Sequence, residues 1–154
     1  MKADSVAKIV EKENASDMWS VSTVFQYITS NEILTDMTAQ HLRLCFIAGS
    51  YTSPVQFMRF ENALCNAKLL NLYGMTETSG GYILTRPDDD IEVRYNTLGR
   101  NVCGTEVEVW DKERGILPQG AVGEIVTRGF HLKNSYYKLP PEKQSVDEDG
   151  WFHS

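Results

Sequence analysis

Basic residues are scarce in this chain of 154 residues, which has 15 Lys and Arg against 21 Asp and Glu and a net charge of −6. Because binding to a phosphate backbone depends on an excess of Lys and Arg, this balance argues against a nucleic-acid partner. Long apolar runs are missing too: no stretch has the length of a membrane span, and the start lacks the apolar centre of a secretion signal. The sequence therefore predicts a cytoplasmic protein without a transmembrane segment.

Cysteine is also rare, and Cys45, Cys65 and Cys103 lie far apart in the sequence. An odd number without closely spaced pairs fits neither a zinc site nor a disulfide framework, so we expect reduced, buried thiols. Three enzyme motifs are absent: the Gly-x-x-x-x-Gly-Lys phosphate loop, the Gly-x-Ser-x-Gly elbow and the His-x-x-x-His zinc pair. The sequence therefore does not predict a P-loop nucleotide site, a serine nucleophile on an elbow turn or a histidine-pair zinc site.

What is present is a composition typical of globular proteins, with 42% hydrophobic and 23% charged residues. Near the start, Val6, Ile9 and Val10 recur on one face of a predicted helix. A Thr-x-x-Gln capping box at Thr23–Gln26 predicts the beginning of a second helix. The aromatic residues of that helix admit two interpretations, the lining of an acyl pocket or ordinary core packing.

A strand, a helix and a strand are predicted next. Leu42–Ala48 is an almost uninterrupted apolar run, as in a strand buried within a parallel sheet. Ser53–Gln56 combines a capping box with proline at the first helical position, and predicts a helix. Much of its buried stripe is predicted to consist of Val55, Met58, Ala63 and Leu64. Leu69–Leu72 is the next predicted strand. This order predicts a right-handed parallel crossover.

The stretch Asn71–Gly80 has the residue types of a binding site. Gly74 lets a ligand approach the backbone closely. Thr76 and Thr78 offer hydroxyl groups to phosphate oxygens, and Glu77 offers the hard oxygen that Mg²⁺ takes together with substrate phosphates. On residue types alone, both a site for a magnesium–nucleotide complex and a solvated turn fit this stretch.

The last third of the sequence predicts antiparallel β structure. Thr105–Trp110 alternates as a half-buried strand does, Asp111–Gly115 is a predicted turn, and Val122–Thr127 is a further predicted strand. The predicted fold is an α/β part, residues 1–96, followed by a β-rich part, residues 97–154.

Tyr73–Thr78 resembles the signature loop of the adenylate-forming enzymes, which comprise acyl-CoA synthetases, luciferases and the adenylation domains of peptide synthetases. Further motifs of that family are resembled, in the same order, by Leu98–Arg100, Leu117–Ile125, Tyr136–Tyr137 and Asp149–Ser154. The resemblance implies the end of a parallel βαβ-layered AMP-binding subdomain, followed by a β-rich, distorted-barrel subdomain that is incomplete.

The resemblance also implies a nucleotide site. Its residues are Gly49, Ser50, Tyr51, Asn71, Leu72, Tyr73, Gly74, Met75 and Thr76. Within this set, Tyr73 would stack on the adenine and Asn71 would meet the adenine amino group. Ser50–Thr52 departs from the family's usual pattern, in which a second glycine or Ala-Pro is frequent.

Two further roles follow from the resemblance. Thr76 and Glu77 are the implied catalytic residues, with Thr76 contacting phosphate and Glu77 holding Mg²⁺. Gly74, Met75 and Gly80 are the implied wall of the site for the carboxylate and acyl group.

The implied reaction has two steps. A carboxylic acid, a fatty acid by the closest resemblance, reacts with ATP to give an acyl-adenylate, and a thiol such as coenzyme A then takes the acyl group. The family's upstream phosphate loop and its C-terminal domain with a catalytic lysine are not in these residues, so we expect an internal fragment that is inactive without the rest of the enzyme. Two alternatives stay open: a fragment of an amino-acid adenylation domain, and a truncated, non-catalytic binding module.

Overall fold

Helices and strands are interspersed in the first part of the chain, and strands dominate the second. The computed structural model describes residues 3–30, 40–64, 66–133, 135–138, 140 and 145–154. In chain order the elements are α1 (Ala3–Lys12), β1 (Asp17–Val21), α2 (Ser22–Ser30), β2 (Leu44–Ala48), α3 (Pro54–Ala63), β3 (Lys68–Met75), a 3-10 turn (Thr76–Thr78), β4 (Gly80–Leu84), α4 (Ile91–Asn96), β5 (Arg100–Asn101), β6 (Thr105–Trp110), β7 (Glu124–Gly129) and β8 (Phe152–His153). The predicted α/β fold with a second, β-rich part is confirmed.

The chain folds into two compact units. The first comprises residues 1–74 and 83–100, and the second comprises residues 75–82 and 101–154. The predicted division into residues 1–96 and 97–154 uses different boundaries and stays a prediction. None of the described helices combines the length and the apolar character that crossing a bilayer would need.

The sheet of the first unit is built on parallel strands. β1, β2 and β3 pair side by side, so that Trp19 lies beside Phe46, and Phe46 beside Leu70. The full strand order of this sheet is β1-β2-β3-β4-β5. On one face, Phe25 of α2 and Phe57 of α3 are completely buried in the main apolar core. Of the two interpretations of the aromatic residues in α2, acyl pocket or core packing, Phe25 therefore shows core packing.

Helix α3 begins as predicted. The Ser53 hydroxyl oxygen accepts a hydrogen bond from the Gln56 backbone N–H at 3.3 Å, and the Gln56 side chain accepts one from the Ser53 N–H at 3.1 Å. Pro54 occupies the first helical position, where a missing N–H does no harm. The capping box thus fixes the direction in which the chain enters the helix.

The predicted buried stripe of α3 is confirmed at Leu64, which is 1% exposed, and is wrong at Val55 and Met58. Val55 and Met58 are 54% and 47% exposed, whereas Phe57 and Phe60 are buried. A similar error affects α1, where Ile9 is 59% exposed. The larger aromatic side chains take the positions that face the sheet because burying them removes more apolar area from water.

The structure corrects three further expectations. β1, β4 and α4 were not predicted as elements. Helix α2 begins at Ser22, so Thr23 lies inside the helix and is not its N-cap.

Cys103 is exposed, whereas Cys45 is buried as expected. Burial, and secondarily the charge of Asp17, raises the pKa of Cys45 to about 12. The third cysteine, Cys65, lies outside the described residues.

The second unit holds a three-stranded antiparallel sheet in the order β6-β7-β8. Thr105 pairs with Gly129 and Trp110 with Glu124 at the two ends of the β6–β7 ladder. Trp110, Val126 and Trp151 form its apolar cluster. The predicted antiparallel strands are confirmed, with β7 beginning at Glu124, two residues later than predicted.

Candidate nucleotide-binding site

The candidate site of the first unit lies where β2 and β3 carry the chain to the carboxyl edge of the parallel sheet, the usual place for ligands in open α/β sheets. Gly49 follows β2 with a left-handed φ of 81°. A Cβ at this position would lie 3.1 Å from Val21 Cγ1, so the turn suits glycine in both conformation and space. The next hydroxyl, Ser50 Oγ, lies 2.9 Å from Ser22 Oγ at the start of α2. This contact ties the turn to the helix.

A cavity of about 330 Å³ opens at this edge. It is lined by Gly49, Ser50, Tyr51, Thr52, Asn71, Leu72, Tyr73, Gly74 and Leu98. Seven of these nine residues belong to the predicted nucleotide-binding set. The volume lies at the lower end of the range of small-molecule pockets. The structure therefore brings most of the predicted residues around one space.

Thr52 and Leu98 line the cavity but were absent from the predicted set. Leu98 was recognised only as part of a motif, Leu98–Arg100, and its distance in sequence hid its place beside Asn71. Gly99 in that motif has a φ of 87°, and a Cβ there would lie 2.1 Å from the Leu84 carbonyl oxygen. Glycine is needed there for the chain to pass so close to β4, and that passage places Leu98.

Asn71 is held at both its backbone and its side chain. Its N–H donates to the Thr85 hydroxyl oxygen at 2.9 Å, and its side-chain Nδ2 donates to the Thr97 carbonyl oxygen at 2.9 Å. Asn71 lines the cavity, and its amide oxygen Oδ1 is the acceptor of this side chain. A neighbouring cavity of about 290 Å³ shares Asn71 and Leu98 with the first. Asn71 is thus a fixed polar group between two spaces.

The signature loop begins as a strand. β3 continues through Tyr73 and Gly74 to Met75, which corrects the predicted end of the strand at Leu72. The Thr76–Thr78 turn follows. Met75 and Thr76 belong to the second unit and are not among the residues that line the first unit's cavity.

Thr78 holds this turn together. Its side chain is 1% exposed, and its hydroxyl accepts a hydrogen bond from the Met75 N–H at 3.0 Å and donates one to the Gly80 carbonyl oxygen at 2.7 Å. Ser79 then takes a left-handed conformation with a φ of 54°. Thr78 is committed to the turn's own structure, whereas the neighbouring Thr76 is exposed.

The Glu77 carboxylate has one strong partner. The Tyr136 hydroxyl donates to Glu77 Oε1 at 2.7 Å. This hydrogen bond is the main reason why the pKa of Glu77 lies below its usual value, and a backbone N–H and the charge of Lys133 act in the same direction against partial desolvation. The sequence marked Tyr136 only as part of a family motif and gave it no place in the site, because it is 59 positions from Glu77.

A deprotonated carboxylate is a suitable ligand for Mg²⁺, which usually takes one or two carboxylates and completes its shell with water and substrate phosphates. No group of three or more His, Cys, Asp or Glu side chains that could hold a metal ion occurs among the described residues. The Glu77 carboxylate therefore fits a magnesium ion that arrives with a nucleotide, and the donor set does not resemble an all-protein metal cage.

A family model described as AMP-binding enzyme matches residues 1–137. The chain belongs to the AMP-binding enzyme family. This match and the acyl-CoA ligase relatives together confirm the predicted resemblance to adenylate-forming enzymes of the fatty-acyl-CoA ligase kind.

Several relatives of this AMP-binding chain are acyl-CoA ligases. The medium-chain fatty-acid–CoA ligase of Escherichia coli K12 is 30% identical over 155 residues, which cover 98% of this chain and 26% of the ligase. The mitochondrial medium-chain acyl-CoA ligase ACSF2 of Macaca fascicularis is 26% identical over 147 residues, 94% of this chain and 24% of the ligase. The chain thus spans about a quarter of the length of these relatives.

Solved structures show the same fold. The anthranilate CoA ligase AuaEII in complex with anthranoyl-AMP superimposes with a TM-score of 0.84 at 20% identity, over 99% of this chain and 29% of the ligase. The benzoate CoA ligase of Burkholderia xenovorans LB400 gives 0.85 at 22% identity, over 100% of this chain and 31% of the ligase. At these identities the likeness establishes the fold of the AMP-binding chain and leaves its substrate open.

Proposed function

We propose that this chain supplies the adenine-binding pocket and the phosphate-facing loop of a ligase that activates a carboxylic acid with ATP and transfers it to a thiol, with coenzyme A as the acceptor. The observation that carries the proposal is the cavity at the ends of β2 and β3, where seven residues of the predicted nucleotide set come together. The names of the relatives support a fatty acid as the acid substrate. The cytoplasm remains the predicted location.

The pocket suits a purine base. Tyr73 offers an aromatic face on which a base can stack, and Gly74 beside it leaves the backbone open to close approach. Because the Asn71 Nδ2 group is already bonded to Thr97, the Asn71 Oδ1 oxygen is the group that would accept a hydrogen bond from the adenine amino group. The hydrogen bonds of Asn71 fix this acceptor before the base arrives, which lowers the entropy lost on binding.

Thr76 and Glu77 would bind the phosphate groups of ATP, Thr76 directly and Glu77 through Mg²⁺. The exposed Thr76 hydroxyl can donate to a phosphate oxygen, and the Glu77 carboxylate would hold Mg²⁺. When bound, Mg²⁺ would offset the negative charge that develops on the phosphate oxygens. The contribution of these residues is positioning and charge placement, the main sources of catalysis in transfer reactions at phosphorus.

In the proposed first step, a carboxylate oxygen of the acid attacks the α-phosphorus of ATP, and pyrophosphate leaves with the electron pair of the broken P–O bond. In the second step, the thiol sulfur attacks the acyl carbon, and AMP leaves. Gly74, Met75 and Gly80 would line the site for the acid. A Cβ on Gly80 would meet no atom within 4 Å, so the backbone at that position has space for an acyl group beside it.

Nucleotide binding is the property to test in these 154 residues, since they span about a quarter of the relatives' length. Titration calorimetry with ATP should show binding to the wild-type chain and about tenfold weaker binding to Tyr73→Ala, because loss of a stacked base corresponds to about 1–3 kcal/mol. Tyr27→Ala is the matched control, since Tyr27 is a half-exposed tyrosine on α2, outside the cavity lining.

Equal ATP affinity in Tyr73→Ala and the wild type would contradict the assignment of the pocket. A wild-type chain that binds no ATP and associates with itself would instead support the non-catalytic binding module.

A further inference from the structure

Two hydrogen bonds connect Glu77 to a distant part of the second unit. The Lys133 backbone N–H donates to the Glu77 carbonyl oxygen at 2.8 Å. The Tyr136 hydroxyl donates to the Glu77 side-chain oxygen Oε1 at 2.7 Å. The first bond fixes the backbone of the Thr76–Thr78 turn, and the second fixes the carboxylate. The direction of the Glu77 side chain is therefore set from outside its own turn.

Lys133 makes a further contact in the same group. Its Nζ atom lies 3.4 Å from the centroid of the Tyr136 ring and 5.9 Å from that of Phe152. Lys133 Nζ is buried and has no hydrogen-bond partner within the described part of the chain. A cation on the face of a tyrosine ring is attracted to it, more strongly where water is excluded. Lys133 thus holds the Tyr136 ring from one face while the hydroxyl reaches Glu77.

We propose that Tyr136 is a positioning residue that holds Oε1 of Glu77 and leaves Oε2 directed to the metal ion of a bound magnesium–nucleotide complex. Among the described residues, the side-chain hydrogen bond to this carboxylate comes from Tyr136 and goes to Oε1. Groups that hydrogen-bond to a metal ligand from behind fix its orientation, and their loss typically weakens metal affinity by about 10–100-fold. This inference rests on the proposed function, in which Glu77 holds Mg²⁺.

The test compares two neighbouring tyrosines in the full chain. ATP affinity is measured by calorimetry with and without Mn²⁺, used as the probe in place of Mg²⁺. Tyr136→Phe removes only the hydroxyl and should reduce the gain in ATP affinity on adding Mn²⁺ by about tenfold, while ATP affinity without metal stays at the wild-type value. Tyr137→Phe is the control, because Tyr137 is 88% exposed, and it should behave as the wild type.

A second variant guards against a fault in folding. Lys133→Met keeps most of the side chain and removes the cation from the Tyr136 ring, so it should reduce the Mn²⁺-dependent gain in the same direction but less. If Tyr136→Phe lowers ATP affinity equally with and without Mn²⁺, its role is structural and the inference is overturned. A Mn²⁺-dependent gain unchanged in both Tyr136→Phe and Lys133→Met overturns it as well.

Glu77→Gln separates this inference from the proposed function. If Glu77→Gln removes the Mn²⁺-dependent gain and Tyr136→Phe does not reduce it, only the role of Tyr136 is overturned. If Glu77→Gln leaves the gain at its wild-type value, or the wild type shows no gain, the metal assignment in the proposed function fails and the inference fails with it.

Discussion

The two units are stabilised by different means. In the first, Phe25 and Phe57 are fully buried within a core to which α1, α2, α3 and the strands β1–β3 all contribute. In the second, the apolar cluster centres on Trp110 and Trp151, whose rings lie 5.2 Å apart, and includes Val126 of the central strand β7. The first unit therefore has the larger apolar core of the two.

The ion pairs of the two units differ in how deeply they are buried. The first unit has the largely buried pair of Arg94 and Glu61, whose charged groups lie 2.6 Å apart. The Glu61 carboxylate also accepts a hydrogen bond from the Tyr95 hydroxyl. The second unit has more exposed pairs, such as Arg128 with Glu106 at 2.7 Å. The cavity lies on the unit with the larger apolar core, so a rigid base of packed side chains supports it.

The largest expected effect comes from Phe57→Ala in the first core. Removing a fully buried phenylalanine should lower the free energy of unfolding by about 3–5 kcal/mol, because apolar burial is lost and a cavity forms. Met58→Ala on the same helix is the control, and should have a much smaller effect because Met58 is half exposed. Urea unfolding followed by circular dichroism measures both, and equal losses would contradict the packing described for α3.

The buried ion pair gives the next largest effect. Glu61→Ala leaves the guanidinium of Arg94 buried without its carboxylate, and should lower the free energy of unfolding by about 3 kcal/mol. Glu106→Ala breaks an exposed pair in the second unit and should have a far smaller effect, which added salt reduces further. The comparison fails if the two variants lose similar stability in the same unfolding assay.

Two left-handed glycines give an intermediate effect. Gly49→Ala and Gly120→Ala both force an alanine into the left-handed region, at about 1–2 kcal/mol each. Only at Gly49 does the new Cβ also approach Val21, whereas the space around Gly120 is open. Gly49→Ala should therefore be the less stable variant, and ATP should bind it more weakly than it binds Gly120→Ala. Equal melting temperatures and ATP affinities would argue against the close packing of the turn after β2.

The smallest expected effect is a pH dependence in the second unit. Burial lowers the pKa of His153, but hydrogen bonds with the carboxylates of Glu124 and Asp147 outweigh it and raise this pKa above its usual value of about 6.5. The stabilisation is therefore complete below about pH 6.5 and is lost as pH rises through the raised pKa of the folded state. Arg114 and Asp149 also face this group, and the Trp110 ring packs against the imidazole.

His153→Gln should remove this pH dependence. The difference in melting temperature between wild type and variant is expected to be greatest near pH 6 and to shrink towards pH 9. It should correspond to a difference of well under about 1 kcal/mol in the free energy of unfolding. A difference that grows with increasing pH would show that the imidazole is bound in its neutral form.

The sequence predicted the elements whose signals are local. The capping box of Ser53 and Gln56, the apolar run that became β2 and the alternation in β6 all depend on neighbouring residues. β1 was missed because it is an edge strand with Met18 as its only buried residue, which leaves no period to detect. α4 was missed because it is six residues long and buries an arginine, Arg94, whose partner is 33 positions away.

The candidate site divides in the same way. Gly49–Tyr51 and Asn71–Gly74 were found because the family motif is contiguous in each. Leu98 lines the cavity only because the fold brings it there, so its position in the sequence did not indicate that it belongs to the site. The hydrogen bond of Tyr136 to Glu77 likewise joins residues far apart in the chain. Such partners become visible only when the strands are assembled.

The assignment of the cavity to a nucleotide is tested most directly by a titration of the ¹⁵N-labelled chain with ATP, followed through the backbone amide signals. Chemical-shift changes are expected to concentrate at Gly49–Thr52 and Asn71–Gly74, with Thr105–Trp110 unaffected. Changes spread over the second sheet, or none at saturating ATP, would contradict the assignment of the cavity to the nucleotide.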